Sequence, residues 1–153
     1  MEPIYFNLNM CQQCNGACCK RYAGSYIPDD FKEISAPYIA ELLKSGKYAV
    51  DWWEGDATGG SLSQTYYLRP RHVDEPAIKG SWGGTCVNFT DGVGCSLIET
   101  ERPYQCRKLI PNFKYGKADC DTLPEDKADK KECAIAWYDY QSAIKEAMKI
   151  YQT

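Results

Sequence analysis

Apolar residues Phe31, Ile34, Tyr38 and Leu42 recur at three- and four-residue steps, the spacing of a helix with one buried face. Pro28-Asp29-Asp30 ahead of them puts a proline and two acids where the first turn of a helix favours them. Pro37 interrupts the stripe, so the pattern predicts two short helices in tandem, the second capped by Ser35 and stopped at Gly46. The runs KYAVDWWE and LSQTYYLRP are rich in aromatic and β-branched residues and are joined by GDATGGS, which predicts paired strands around a glycine turn. The doublets Trp52-Trp53 and Tyr66-Tyr67 place one ring on each face of that pair. Those rings read as core plus a solvent-side cross-strand contact, or alternatively as a stacking platform for a ligand.

Further along, CVNFTDGVGC carries Asp91-Gly92 as a turn between two short extended pieces. A hairpin there brings Cys86 and Cys95 together although eight residues separate them. Glu99 to Lys108 reads as a helical turn with Pro103 near its start. From Pro124 to about Gln152 the pattern predicts one long helix whose buried face carries Cys133, Trp137, Tyr140, Ile144, Met148 and Tyr151. The expected fold class is α+β: a small single domain over 1–153, with a short antiparallel sheet, several helices and a long C-terminal helix, tied together by cysteine–metal sites.

Composition narrows the chemistry. With 153 residues, four Trp, twelve Tyr and four Phe, the chain has enough apolar bulk that metal need not be the only source of stability. A net charge of −3 with interspersed signs gives no general pull toward nucleic acid or anionic lipid. No long apolar run exists for a membrane span, and MEPIYFNLNM has neither the basic nor the apolar region of a secretory signal. The expected location is therefore the cytoplasm, where thiols stay reduced or bind metal. Nine cysteines, an odd number, also weigh against full disulfide pairing, although a disulfide scaffold remains the alternative.

The cysteines cluster. CQQCNGACC puts Cys11, Cys14, Cys18 and Cys19 within nine residues. Thiolates hold Zn²⁺ in tetrahedral sites and iron in iron–sulfur clusters, and Gly16 suits the tight turn that points such sulfurs inward. Were the segment helical, Cys11, Cys14 and Cys18 would share a face and Cys19 would point about 100° away. The adjacent pair thus serves different centres or roles, which implies more than one metal or a cluster larger than one ion. Cys86, Cys95, Cys106 and Cys120, the last in a polar Ala-Asp-Cys-Asp loop, bring the candidate ligands to eight. Cys133, on the apolar face of the last helix, reads as a buried thiol rather than a ligand. Lys20-Arg21 and Arg107-Lys108 beside the clusters would offset buried negative charge, or are solvated surface.

CQQCNGACC, followed downstream by Cys-x8-Cys and ERPYQCR, resembles the YkgJ-type cysteine-cluster family of zinc- or iron-chelating domains, over roughly residues 11–110. The resemblance implies metal chelation by Cys11, Cys14, Cys18, Cys19, Cys86, Cys95 and Cys106, with Arg102 and Pro103 matching its Arg-Pro; Cys120 is added on proximity and count. A similar block occurs in flagellin lysine methylases, thought to carry an iron–sulfur centre, but no Gly-rich strand-to-helix element for a nucleotide-like methyl donor is present here.

Other chemistries are weaker. His72 is the sole histidine and reads as an exposed loop residue beside a proline turn, able to complete a mixed site if one thiol is absent. Arg102, Arg107, Lys108, Lys114 and Lys117, interleaved with Tyr104, Phe113 and Tyr115, hint at a nucleic-acid surface that Glu99, Glu101, Asp119 and Asp121 dilute. The expectation is a metal-binding protein whose cofactor is zinc or an iron–sulfur cluster, with redox or accessory activity in the iron case. If it is an enzyme, it is an iron–sulfur oxidoreductase or an accessory to a modification enzyme. The competing reading is a metal-stapled module that recruits a protein partner and has no catalysis of its own.

Overall fold

Ser35 sits in extended backbone and its hydroxyl accepts the Tyr38 N–H at 3.3 Å, which starts helix α1 (Ala36–Lys44) with Pro37 in the turn where a missing N–H costs nothing. Gly46, at φ 86°, stops it in the left-handed region that favours glycine. Ahead of it Pro28–Asp30 forms a single 3₁₀ turn, so two helical pieces in tandem are present as the prolines predict. Their buried stripe is displaced. Ile39, Ala40 and Leu43 are the buried residues of α1, whereas Phe31 and Ile34 lie in non-helical backbone at the margin of the core. The computed structural model describes residues 24–78, 80, 84–90, 94–97, 99–107, 109–114, 117–122 and 130–153.

Strands β1 (Tyr48–Glu54) and β2 (Gln64–Pro70) pair antiparallel with Trp52 opposite Tyr66 and Asp51 opposite Tyr67. Asp56 shapes their connection by accepting N–H groups from Thr58 at 2.8 Å and Leu62 at 3.1 Å. A two-stranded ribbon leaves two edges of unpaired peptide groups, and both are covered here. On β2, the Gln141 side chain accepts the Tyr66 N–H and donates to the Tyr66 carbonyl, each at 2.8 Å, as a third strand would. The Leu68 carbonyl accepts the Tyr26 N–H at 2.9 Å. On β1, Val50 N–H donates to Ala77 O at 2.8 Å and Arg71 Nε to Tyr48 O at 3.1 Å.

The C-terminal segment departs from its expected form. In place of one long helix there are α3 (Lys130–Ala136) and α4 (Gln141–Gln152), which follow the short helix α2 (Tyr104–Arg107) in the chain and are separated from each other by a 3₁₀ turn at Tyr138–Tyr140. The break falls at Trp137 (φ −89°, ψ 0°), whose indole N–H donates to the Tyr26 carbonyl at 2.8 Å while Gln141 Nε2 caps its own carbonyl at 3.0 Å. Docking the indole onto Tyr26 and the amide onto β2 requires the helix axis to turn between them. The buried face turns too: Cys133, Trp137 and Ile144 are buried as expected, Met148 and Tyr151 half-buried, but Tyr140 is exposed. The expected helix start at Pro124 lies outside the described residues.

Helix α1 packs along α4, and Ile39, Leu43, Val50, Tyr67, Leu68, Trp137 and Ile144 form the main core between these helices and the ribbon. A second, two-residue ribbon joins β3 (Phe89–Thr90) to β4 (Gly94–Cys95), then a 3₁₀ turn (Glu99–Glu101) leads to α2 (Tyr104–Arg107). The final ribbon, β5 (Leu109–Lys114) with β6 (Lys117–Thr122), was not expected, and it puts Cys120 opposite Pro111 in a strand instead of a polar loop. Charged and polar residues through β6 hid the pairing, because no apolar alternation marks it. The class is α+β as anticipated. Among the described residues no helix is long and apolar enough to cross a membrane.

Gln141 makes a direct test of the edge-sealing argument. Gln141→Leu keeps the volume but strands the Tyr66 peptide groups, and is expected to cost about 2–3 kcal/mol. A melting temperature lower by roughly 5–10 °C in a circular-dichroism scan is the corresponding readout.

Candidate metal centre

The hairpin predicted between Cys86 and Cys95 forms, although its Asp91-Gly92 turn lies outside the described residues. Cys95 pairs with Phe89, and Cys86, Phe89 and Cys95 pack together as a small cluster of their own. Cys86 is buried, and its Sγ accepts the Asn88 N–H at 3.5 Å, an amide-to-sulfur bond two residues along that favours thiolate over thiol. Burial nonetheless pushes the Cys86 thiol up to about 11, since the Asn88 N–H and the positive charge of Arg69 offset only part of the desolvation. A cation held at this sulfur would supply the missing compensation, because a coordinating thiol is deprotonated outright.

Cys106 reaches the same neighbourhood from α2. The segment at residues 24–26 is clamped beside it: Ser25 N–H donates to Gln105 Oε1 at 2.9 Å, and Gln105 N–H donates to Ser25 O at 3.1 Å. Gly24 packs directly on the Cys106 sulfur, leaving no room for a Cβ. Cys133, buried on α3, has its Sγ 3.9 Å from the Ser25 carbonyl. Tyr26 ties this segment to the hairpin: its buried phenol is held well above the usual tyrosine range by desolvation, then by Tyr48, Cys106 and Cys86. Thus Cys106 and Cys86 stand near the chain just after the N-terminal cysteine block, with Cys95 packed on Cys86, while Cys11, Cys14, Cys18 and Cys19 lie outside the described residues. For Cys120 the backbone alone is placed, in β6.

Behind Cys86 stands a network of buried charge that the sequence reading did not single out. Arg69 on β2, 1% exposed, donates from Nε to Asp51 Oδ2 at 2.6 Å and from its terminal nitrogens to both Glu75 oxygens. Glu75 also accepts the His72 N–H at 2.7 Å, and His72 Nδ1 lies 3.3 Å from it. Burial opposes ionisation of Glu75, but Arg69 and the His72 N–H outweigh it and hold the carboxyl at about 2. His72, expected as an exposed loop residue, is 1% exposed and paired backbone-to-backbone with Cys86, flanked by Val73 N–H to Thr85 O at 2.7 Å and Val87 N–H to Arg71 O at 2.9 Å. Desolvation, then Arg69, lowers its pKa, so the ring is neutral at physiological pH. The signal that could have exposed this network is a charge inside each apolar strand, Asp51 after Val50 and Arg69 after Leu68.

An open cavity of about 790 Å³ lies alongside, walled by Tyr26, Tyr38 and Tyr48, by Asn88 of the cysteine hairpin, and by Glu101 and Arg102 of the approach to Cys106. Asp30 holds its rim by accepting the Ile27 and Tyr104 N–H groups, both at 3.0 Å. Arg102, part of the Arg-Pro motif, donates from Nε to the Leu97 carbonyl at 3.0 Å, and Pro103 is buried ahead of α2.

The donor chemistry fits a thiophilic ion: three described thiols on two rigid segments, an amide N–H aimed at one sulfur, and a buried guanidinium behind it. Among the described residues no three ligand-type side chains converge on one point. The CxxCxxCC family, "Putative zinc- or iron-chelating domain", matches residues 10–134. The match includes the N-terminal block, in which this chain has three residues, Asn15, Gly16 and Ala17, before the cysteine doublet. No curated protein and no solved structure matches the chain significantly.

Two outcomes follow from this geometry. Gly24→Ala drives a methyl into the Cys106 sulfur and is expected to lower bound metal per chain, measured by elemental analysis, while a change at an exposed position of the β1–β2 connection, Thr58→Ala, leaves it unchanged. Glu75→Gln is expected to cost about 3 kcal/mol at pH 7 by leaving Arg69 half-paired. Because the folded Glu75 pKa, about 2, lies below its ordinary 4.5, this difference is complete above pH 4.5 and is lost as pH falls toward 2. Urea unfolding of both proteins across that range reads it out.

Proposed function

The chain belongs to the CxxCxxCC family and is a zinc- or iron-chelating metal-binding protein, and from that premise we propose which of its cysteines hold the metal and what the centre is for. The ligands are Cys11, Cys14, Cys18, Cys19, Cys86, Cys95, Cys106 and Cys120. The observation that carries this reading is the clamping of residues 24–26 against Cys106 and beside the Cys86–Cys95 cluster. Four residues separate Cys19 from Gly24, so five chain steps keep Cys19 within about 18 Å of the glycine that packs on Cys106. In this reading that tether lets the N-terminal block bring its thiols to those of the hairpin.

The centre serves two ends in this reading. It ties the N-terminal block to the hairpin and to α2, so that metal binding free energy is folding free energy. It also stands beside the open tyrosine-walled cavity, which would let a small molecule or a protein segment reach it. That access favours iron, as an iron–sulfur centre with redox or accessory activity in the cytoplasm, over closed structural zinc. When bound, such a centre supplies one-electron chemistry. The chain's own residues would position and insulate it: Asn88 donates to a ligand sulfur, Arg69 offsets ligand charge, and the Tyr26 phenol, neutral because buried, presents a hydroxyl between thiols and cavity.

Metal content and a spectrum of anaerobically prepared protein test the reading. Brown protein with iron, sulfide and broad absorption near about 400 nm is the expected result. Colourless protein holding zinc would retain chelation and remove the redox role. Cys86→Ser and Cys106→Ser are expected to lose metal, whereas Cys133→Ala keeps it. Protein free of both metals that keeps its melting temperature under a strong chelator would overturn the reading entirely.

A further inference from the structure

A row of aromatic rings runs in contact from the cavity beside the cysteines to the surface. Tyr48 and Tyr26 both line the cavity, with ring centroids 5.5 Å apart. Tyr26 stands two residues from Gly24, the glycine that packs on the Cys106 sulfur. Phe31 follows at 5.0 Å from Tyr26, Trp137 at 5.9 Å from Phe31, and Tyr140 at 6.1 Å from Trp137, edge to face at 75°. A second link bypasses Phe31, because the Trp137 indole N–H donates to the Tyr26 carbonyl at 2.8 Å. Separations of this size are ring contact, and electrons tunnel between touching rings faster than side chains rearrange. Tyrosine and tryptophan give up a single electron readily; Phe31 does not, and serves as the bridge between them.

The surroundings of the rings set a direction. Trp137 is fully buried and its N–H meets a carbonyl, which is too weak a base to take the proton of an oxidised indole. The oxidised ring therefore keeps its charge and its pull on the next electron. Tyr140 is 36% exposed, so its phenol can release a proton to water as an electron leaves, and the oxidising equivalent comes to rest there. Packing accounts for Tyr26, Phe31 and Trp137 as core, but it does not call for an oxidisable ring in water at the end of the row. We propose that the row is an exit route for oxidising equivalents, leading from the cavity beside the cysteine centre to Tyr140 and sparing the thiols. The need for such a route rests on the redox reading of the centre; the route itself is a property of the rings. The oxidant is a one-electron oxidant of the carbonate-radical class that reaches the cavity. It takes an electron and the phenol proton from Tyr48 and leaves as bicarbonate. The Tyr48 phenoxyl takes an electron from Trp137, through Tyr26 and Phe31, and a proton from cavity water. Trp137 then takes an electron from Tyr140, whose proton goes to bulk water. One oxidant is reduced, one phenoxyl remains at Tyr140, and the rings between are restored.

The test uses the full chain as isolated, with carbonate radical generated by flash photolysis and a nitrone spin trap whose adducts are located by peptide mass spectrometry. The principal adduct is expected at Tyr140 and not at Tyr138, which stands outside the row although it is the more exposed, 41% against 36%. Transient absorption of the wild type is expected to show indolyl radical decaying into phenoxyl at a rate independent of protein concentration. In Tyr140→Phe, altered at an exposed ring, the indolyl radical is expected to last several-fold longer, and oxidation of cysteine to sulfinic acid is expected to rise. Tyr138→Phe is expected to match the wild type in both. Trp137→Phe is expected to lose the preference for Tyr140; should it fail to fold, Tyr140→Phe decides. Metal content is measured separately, so a centre without iron removes the redox reading and leaves the trapping pattern to stand or fall alone. Adducts that follow exposure, with Tyr138 labelled at least as heavily as Tyr140, would overturn the proposal, as would an unchanged indolyl lifetime and unchanged cysteine oxidation in Tyr140→Phe.

Discussion

A guanidinium buried to 1% exposure is intolerable unless its charge is met, and Arg69 is met from two directions. Asp51 reaches it from the neighbouring strand and Glu75 from the turn that follows its own strand. These two bonds fix more than the charge. The first joins β1 to β2 inside the core, reinforcing a register that a one-residue slip would turn inside out. The second folds residues 72–75 back under β2, with Asp74 at φ 65°, and sets His72 opposite Cys86. The position of a candidate metal ligand therefore depends on an ion pair with no sulfur in it.

The same economy governs the entry of the N-terminal segment. Residues 24–26 make backbone or side-chain bonds to Gln105, Leu68 and Trp137, three residues drawn from α2, β2 and the end of α3. Such bonds are individually modest, near 1 kcal/mol each, but all are buried and none has water as an alternative partner. They deliver Gly24 onto the Cys106 sulfur, so the chain that follows the cysteine block packs against a downstream thiol. If these thiols are the ligands, as proposed, metal affinity and fold stability are coupled through this one short stretch.

Around this frame the aromatic residues divide their work. Tyr26, Phe31, Tyr48 and Trp137 pack ring on ring at centroid separations of 5.0–6.1 Å, and close the core beneath the cavity near the cysteines. Trp52 and Tyr66, on the ribbon beside α4, are instead held by strand-local hydrogen bonds at a groove that Lys145 and Lys149 also line. The first group has its polar atoms satisfied inside the protein, and the second lies half-buried at the margin of the ribbon.

Much of this was legible in the sequence wherever the determinant is local. Ser35 capping α1, Gly46 ending it, the aromatic runs pairing as β1 and β2, and the Cys86–Cys95 hairpin all depend on neighbours within a few residues, and all are found where they were read. The cysteine spacing likewise named the family without any coordinates, because thiolate ligation leaves a pattern in the chain itself. What only the tertiary structure decided are the features whose partners are far apart in sequence. Gln141 standing in for a strand beside Tyr66, Trp137 breaking the last helix to reach Tyr26, His72 buried against Cys86, and Arg69 joining Asp51 to Glu75 carry no local signature. A periodic pattern states which face of an element is buried, but what it is buried against is chosen by packing across the whole chain, where one unpaired charge or peptide group outweighs a helix's preference to continue.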